Sequence, residues 1–246
     1  MNEEEAIAAG TARGSANGDE PVLVITGAST GIGAATARRA VEFGHRVVLA
    51  ARSEDRLRDL AEELGGEEKA LAARCDVTSW DEQQALVATA LERYGRMDAY
   101  FANAGFGAKR GFLEESVEHW KAMVDTNVLG AALSIRASLG HFREQNRGHL
   151  ILTSSIAGRR ALPGSLYSAT KHAVTAMGEA LRAEVADTDI KVTLIEPGMV
   201  DTPFFDNSPS GALEADDIAR GVLFALTQPP HVDVNEILIR PIHQPT

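Results

Sequence analysis

Seven short apolar runs recur along the chain, separated by stretches long enough for helices: VLVIT (22–26), RVVLAA (46–51), ALAARC (70–75), DAYFA (98–102), HLILTS (149–154), KVTLIE (191–196) and EILIR (236–240). Most are apolar at nearly every position rather than at every second one, which suits strands covered on both faces. Helix-length connections with right-handed crossovers join such strands in parallel. The pattern therefore predicts an α/β fold with a doubly wound parallel sheet of about seven strands and helices on both faces.

The connections carry helix signals of their own. In TSWDEQQALVATALERYG, Ser79 followed by Glu82 forms a capping box ahead of apolar residues at helical spacing. No Pro-, Ser- or Gly-rich linker interrupts the series, and no repeat divides it. The 246 residues fit one α/β domain. Its expected span is 21–246, preceded by a flexible tail over residues 1–20 in which Glu3, Glu4, Glu5, Asp19 and Glu20 face only Arg13.

Charge and cysteine content narrow the class. A formal net charge of −11 argues against nucleic acid or an anionic membrane as partner. No apolar run approaches the roughly 18 residues of a membrane span, and MNEEEAIAAG lacks the basic start of a signal peptide. The single cysteine, Cys75, has no intramolecular partner and reads as a buried, reduced thiol of a cytoplasmic protein. No metal is expected.

The first run leads directly into GASTGIGAATARRAVEFG, with Gly27, Gly31 and Gly33 at the strand-to-helix turn. A pyrophosphate must approach the backbone closely there, and the helix N-terminus supplies free N–H groups and partial positive charge. A tight turn alone would also account for the glycines. A dinucleotide fold places such a loop after its first strand, and NAD binders add a carboxylate at the end of the second. Here the second run ends in Ala50 and Ala51, followed by Arg52. A guanidinium suits a 2′-phosphate, so NADP(H) is the expected cofactor. The other possibility is that Arg52 is merely solvated and that Glu54 or Asp55 takes the ribose.

In GSLYSATKHAVTAMGEALRAEV, Tyr167 and Lys171 stand four apart, in line with Val174, Gly178, Leu181 and Val185 on one helix face. A phenol with an ordinary pKa of about 10 is a poor base at neutral pH. An ammonium one turn away favours its phenolate, and a tuned tyrosine can exchange a proton with a carbonyl or alcohol oxygen. The bland alternative is a helix start with a lysine that reaches water.

Seven motifs in order now resemble the short-chain dehydrogenase/reductase family: TGASTGIG (26–33), CDVT (75–78), NAG (103–105), TNVLG (126–130), SSIAG (154–158), YSATK (167–171) and PGMVDTP (197–203). The resemblance covers almost all of Pro21 to Pro241 and implies a single-domain, Rossmann-type fold. It implies Tyr167 as acid/base, Lys171 as the group that lowers its pKa, and a strand-end serine that steadies substrate oxygen. Asn127 would complete a proton relay through water. It also implies cofactor contacts at Gly27, Ser29, Thr30, Gly31, Ile32 and Gly33, adenine contacts at Asp76 and Val77, and a ribose-side wall at Asn103, Ala104 and Gly105. The nicotinamide side falls to Pro197, Gly198, Val200 and Thr202.

Asn127 is expected on the inward face of a helix beginning near Ser116, together with Trp120, Val124, Ala131 and Ile135. Two features depart from the family pattern. Ala102 replaces the first of two asparagines, and the serine is ambiguous. The S-x-x-G pattern selects Ser155, whereas counting back from Tyr167 by the family's usual interval selects Ser154; strand-end geometry favours Ser155.

The segment from about Phe204 to Leu213 would form a short substrate lid. Phe106, Phe204 and Phe205 are candidate walls, and Lys109 or Arg110 could meet an anionic group. The tail VNEILIRPIHQPT resembles a branch acting on small polar or acid-bearing carbonyl or hydroxy compounds. Small residues at Ala169, Ala173, Ala176 and Ala180 would let helices of two subunits pair, as the family's do in homodimers or homotetramers. The competing reading is a non-catalytic NADP(H)-binding regulator.

Overall fold

The structure, a computed structural model, describes residues 20–204 and 209–244. The expected tail therefore lies outside the described residues except for Glu20, and so does Phe205.

The strands are β1 (Val22–Thr26), β2 (Arg46–Ala51), β3 (Ala70–Arg74), β4 (Ala99–Ala102), β5 (Arg147–Thr153), β6 (Asp189–Pro197), β7 (Val200–Asp201), β8 (Leu213–Glu214) and β9 (Glu236–Ile239). Seven form one sheet in the order β3-β2-β1-β4-β5-β6-β9, every pair parallel. β7 and β8 make a separate parallel pair. The expected runs are all strands, with 22–26 and 46–51 matched at both ends and the others displaced by at most two residues. Cys75 and Asp98, for example, fall just outside theirs.

The helices are α1 (Gly31–Glu42), α2 (Glu54–Glu63), α3 (Trp80–Tyr94), α4 (Val117–Val124), α5 (Ala131–Glu144), α6 (Leu166–Glu184) and α7 (Ala215–Leu226). Alternation along the strands divides the core in two. Val22, Val24 and Leu150 pack with Leu86 of α3, Phe142 of α5 and Val174 of α6. Leu23, Ile25 and Ile151 face the other way, against Ala37 of α1, Leu57 of α2 and Ile218 of α7. This two-sided burial explains why the runs are continuously apolar.

Strand order reverses between β1 and β4. Ligands of open α/β sheets bind in the crevice at such a reversal, outside the carboxyl ends of the strands.

Three local expectations change. Glu20, assigned to the tail, accepts hydrogen bonds from Arg46 at 3.0 Å and from Lys69, tying β2 to the start of β3. The capping box is half formed. Ser79 Oγ accepts the Glu82 N–H at 3.3 Å, but the Glu82 carboxylate turns to the Asp76 N–H at 2.8 Å and to Arg74 at 3.0 Å.

The helix begun at Ser116 is not continuous α-helix: Asp125–Gly130 is a π-helical turn between α4 and α5. Such a turn inserts residues and rotates the face that follows. The buried stripe consequently runs through Asn127, Gly130, Ser134 and Ser138, while Val124 is exposed and Ala131 and Ile135 are only partly buried.

Candidate active site

A cavity of about 660 Å³ opens at the carboxyl ends of the strands, where the order reverses. Its first wall is the loop after β1. Gly27 has φ of 67°, and a Cβ there would lie 2.9 Å from Ala104 Cα. A Cβ on Gly33 would stand 2.3 Å from the Gly27 carbonyl oxygen. Two backbone segments thus close on each other where no side chain fits. Ser29, Thr30, Gly31 and Ile32 line the cavity along with Gly27, while Gly33 lies behind them. Thr30, the residue before α1, supplies no side-chain cap, and the first turn holds no acidic residue. The positive end of α1 is left to other partners.

Arg52, Asp76 and Val77 reach the same cavity from the ends of β2 and β3. Arg52 is exposed and has no hydrogen bond or ion pair to another described residue. A hydrogen bond from the Thr78 backbone N–H holds the Asp76 carboxyl below its ordinary pKa, with the Arg52 and Arg74 charges as smaller causes. Glu54 pairs with Arg58, and neither Glu54 nor Asp55 lines the cavity.

Asn103, Ala104 and Gly105 follow β4 and also line it. Asn103 joins three strand ends, donating from Nδ2 to the Thr26 carbonyl at 3.1 Å and accepting from Thr153 Oγ1 at 3.2 Å.

Ser155, Tyr167, Lys171, Pro197, Gly198, Val200 and Thr202 also line the cavity, with Thr202 closing on the glycine loop, where a Cβ on Gly31 would lie 3.1 Å from its methyl carbon. Ser165 caps α6 by accepting the Ser168 N–H at 3.2 Å, which starts the helix at Leu166, one residue before Tyr167. The predicted stripe is buried from Lys171 through Leu181. Lys171 donates from Nζ to the Thr153 carbonyl at 2.7 Å, and Nζ lies 5.7 Å from the Tyr167 ring centroid.

Burial pushes the Lys171 ammonium down to about 8. Desolvation likewise pushes Tyr167 up to about 12, with the neighbouring Ser155 hydroxyl acting in the other direction. The expected lowering of the phenol is therefore not present here. Desolvation outweighs its neighbours, so the ring carries its proton throughout the neutral range.

The two serines part company. Ser154 Oγ donates to the Lys171 carbonyl at 3.1 Å and shares a hydrogen bond with Thr175 Oγ1 at 2.7 Å. Ser155 Oγ accepts the Ala157 N–H at 3.1 Å, donates to the Pro197 carbonyl at 3.3 Å and acts on the Tyr167 phenol.

Asn127 is buried and does not line the cavity. Its Oδ1 accepts the Phe106 N–H at 3.0 Å, and its Nδ2 donates to the Phe106 carbonyl at 2.9 Å and Thr170 Oγ1 at 3.1 Å. The side chain clamps the segment after Gly105. Phe204 meets Tyr167 edge-on at 5.5 Å between centroids, and Arg110 lines the cavity whereas Lys109 does not. Sequence reasoning missed the Thr153 carbonyl, Met199 and Gln244. A backbone acceptor leaves no residue signature, and nothing in the tail's spacing points back at the cavity.

The family comparison decides the identity. The short chain dehydrogenase profile matches residues 21–212. The chain belongs to the short-chain dehydrogenase/reductase family. This family member is an oxidoreductase acting on CH–OH groups. It is 43% identical over 225 residues to an uncharacterized oxidoreductase of Staphylococcus haemolyticus, covering 90% of this chain and 97% of the relative. An alcohol dehydrogenase from the archaeon Thermococcus sibiricus, solved with 5-hydroxy-NADP, superposes with a TM-score of 0.84 at 31% identity, covering 93% and 99% of the two chains. A serine dehydrogenase complexed with NADP+ gives a TM-score of 0.84 at 30% identity, covering 92% and 96%.

The cavity suits a nicotinamide dinucleotide by its own geometry. The glycine contacts leave a cradle that a Cβ would fill, an uncapped helix end adjoins it, and a cation stands at the end of β2. Among the described residues, no group of three or more His, Cys, Asp or Glu is placed to hold a metal ion. No described helix is long and apolar enough to cross a membrane.

Proposed function

We propose that this chain is an NADP(H)-dependent oxidoreductase that interconverts a carbonyl and an alcohol, with Tyr167, Ser155, Lys171 and Asn127 as its working set. The observation that carries this reading is the position of Tyr167: a partly buried, protonated phenol on the wall of the cavity that the glycine loop opens.

When bound, the nicotinamide supplies or accepts the hydride. Tyr167 holds the proton that the substrate oxygen needs in reduction and receives it in oxidation. With its pKa pushed up to about 12, the phenol carries its proton at neutral pH and is the group positioned to exchange it with the substrate oxygen in either direction. Ser155, whose Oγ donates to the Pro197 carbonyl at 3.3 Å, becomes a second donor when that proton turns from Pro197 to the oxygen on which charge develops. Lys171, kept in line by the Thr153 carbonyl, places a cation near that oxygen. Asn127 fixes Phe106 and Thr170 and so holds the floor between β4 and α6.

Preference for NADP(H) rests on Arg52, on the absence of a carboxylate at the end of β2, and on the NADP-type ligands named for the two solved relatives. A small polar or acid-bearing substrate suits the cavity volume and the cationic rim at Arg110. The Ala169, Ala176 and Ala180 face of α6 is exposed, as a cytoplasmic homodimer or homotetramer requires.

Tyr167→Phe tests the whole. NADPH binding, followed by fluorescence, should survive, while turnover across a panel of carbonyl compounds and alcohols falls by about 10²–10⁴-fold. Turnover that persists in the variant overturns the reading. A parent protein that binds NADPH without any turnover favours a regulator.

A further inference from the structure

The C-terminal tail reaches the cavity after β9, the edge strand beside β6. After β9 the chain turns back, with the Gln244 N–H donating to the Pro241 carbonyl at 3.1 Å. The Gln244 side-chain Oε1 then accepts the Met199 N–H at 2.9 Å. A Cβ on Gly198 would stand 2.2 Å from that oxygen, so a side chain at 198 would exclude the contact. The Gly198 N–H is itself held by the Ile239 carbonyl at 2.7 Å. Tail and turn are built to fit each other.

This bond spends the oxygen of the amide and leaves its nitrogen. Nε2 makes no hydrogen bond to another described residue, and Gln244 lines the cavity. Strand order indicates the side from which Gln244 reaches the cavity. The glycine loop, Arg52 and Asp76 follow β1, β2 and β3, whereas Gln244 follows β9, beyond β5 and β6 at the other edge. Ser155 and the Pro197–Val200 segment line the cavity on that side.

We infer that Gln244 is a specificity-determining residue. Its Oε1 braces the Met199 turn, and its Nε2 donates to a carboxylate or hydroxyl oxygen that the substrate carries beyond its reacting carbon. The inference rests on the proposed oxidoreductase reading of the same cavity. A neutral donor at this position can accept either oxygen type, and hydrogen bonds to charged groups are the stronger of the two.

The decisive variant is Gln244→Glu. It retains an oxygen for the Met199 N–H but replaces the donor with a negative charge. With NADP+, oxidation of 3-hydroxypropionate is compared with that of 2-butanol in the parent, Gln244→Glu and Gln244→Ala. Hydrogen exchange at the Met199 amide reports the brace separately. Expected are a fall of tenfold or more in the ratio of the two kcat/KM values for Gln244→Glu, an unchanged Kd for NADPH, and faster Met199 exchange in Gln244→Ala than in Gln244→Glu. An unchanged ratio, a shift in NADPH binding instead, or a parent that oxidises neither compound overturns the assignment. Turnover that Tyr167→Phe abolishes but Gln244→Glu leaves with its ratio intact is a failure of this inference alone. Turnover that survives Tyr167→Phe is a failure of the underlying reading.

Discussion

The hydroxyls of Ser154 and Ser155 point to different partners: Ser154 to Thr175 at 2.7 Å beneath α6, and Ser155 to the Pro197 carbonyl at 3.3 Å beside Tyr167. Ser155→Ala should therefore lower kcat by about 10²-fold or more, as loss of one donor to a developing oxyanion does. Ser154→Ala should instead cost about 1–3 kcal/mol of stability by leaving Thr175 short of a partner. Steady-state kinetics with denaturant unfolding on both variants separates them. A larger kcat loss from Ser154→Ala would reverse the assignment.

Lys171 gives a pH dependence with a definite sign. Its folded pKa is depressed by burial to about 8, below the ordinary 10.5. Between those values the unfolded chain binds more protons, so this group's contribution to stability rises with pH across that window. Below pH 8 the folded protein bears the full cost of a buried cation, at most about 3 kcal/mol. Lys171→Met should remove this slope. The stability of the variant relative to the parent should be highest near pH 7 and decline towards pH 10.5. Urea unfolding at four or five pH values measures it, and a flat difference would contradict the assigned burial effect.

Arg52→Asp should invert cofactor preference. The substitution removes the cation suited to a 2′-phosphate and installs a carboxylate that repels it. The ratio of kcat/KM for NADPH over NADH should drop by at least 10²-fold, most of it in KM. A parent already favouring NADH would refute the role given to Arg52.

Gly33→Ala probes the cradle without touching the lining. The new methyl would press on the Gly27 carbonyl from 2.3 Å, so the loop must open or α1 must shift. NADPH affinity should weaken by about tenfold or more and the melting temperature should fall, since overpacking of this kind costs roughly 1–3 kcal/mol. Unaltered binding, measured by calorimetry, would show that the loop yields freely.

Much of this was legible in the residues, for reasons that differ by element. The strands were readable because both faces of the sheet are covered, which leaves an apolar signature at every position of Leu23–Ile25 and Leu150–Leu152. The α6 stripe was readable because it is unbroken α-helix, and so Lys171 falls where a period of 3.6 puts it. The same arithmetic failed after Val124, because the π turn at Asp125–Gly130 resets the phase and puts Ser134 and Ser138 where Ala131 and Ile135 were expected. The direction of the Tyr167 shift was misjudged because the sequence shows a nearby cation but not the desolvation of the phenol in the folded site. Gln244 was invisible because its contact with Met199 spans 45 positions and depends on a turn that only the folded tail makes.

Glu20 has a practical consequence for anyone who prepares the protein. Its carboxylate bridges Arg46 and Lys69, so the ion pairing around β2 and β3 includes a residue ahead of the first apolar run. A shortened version cut after Glu20, or an affinity tag fused directly before Pro21, would leave two cations unneutralised beside the outer strands. Any shortened version should keep Glu20.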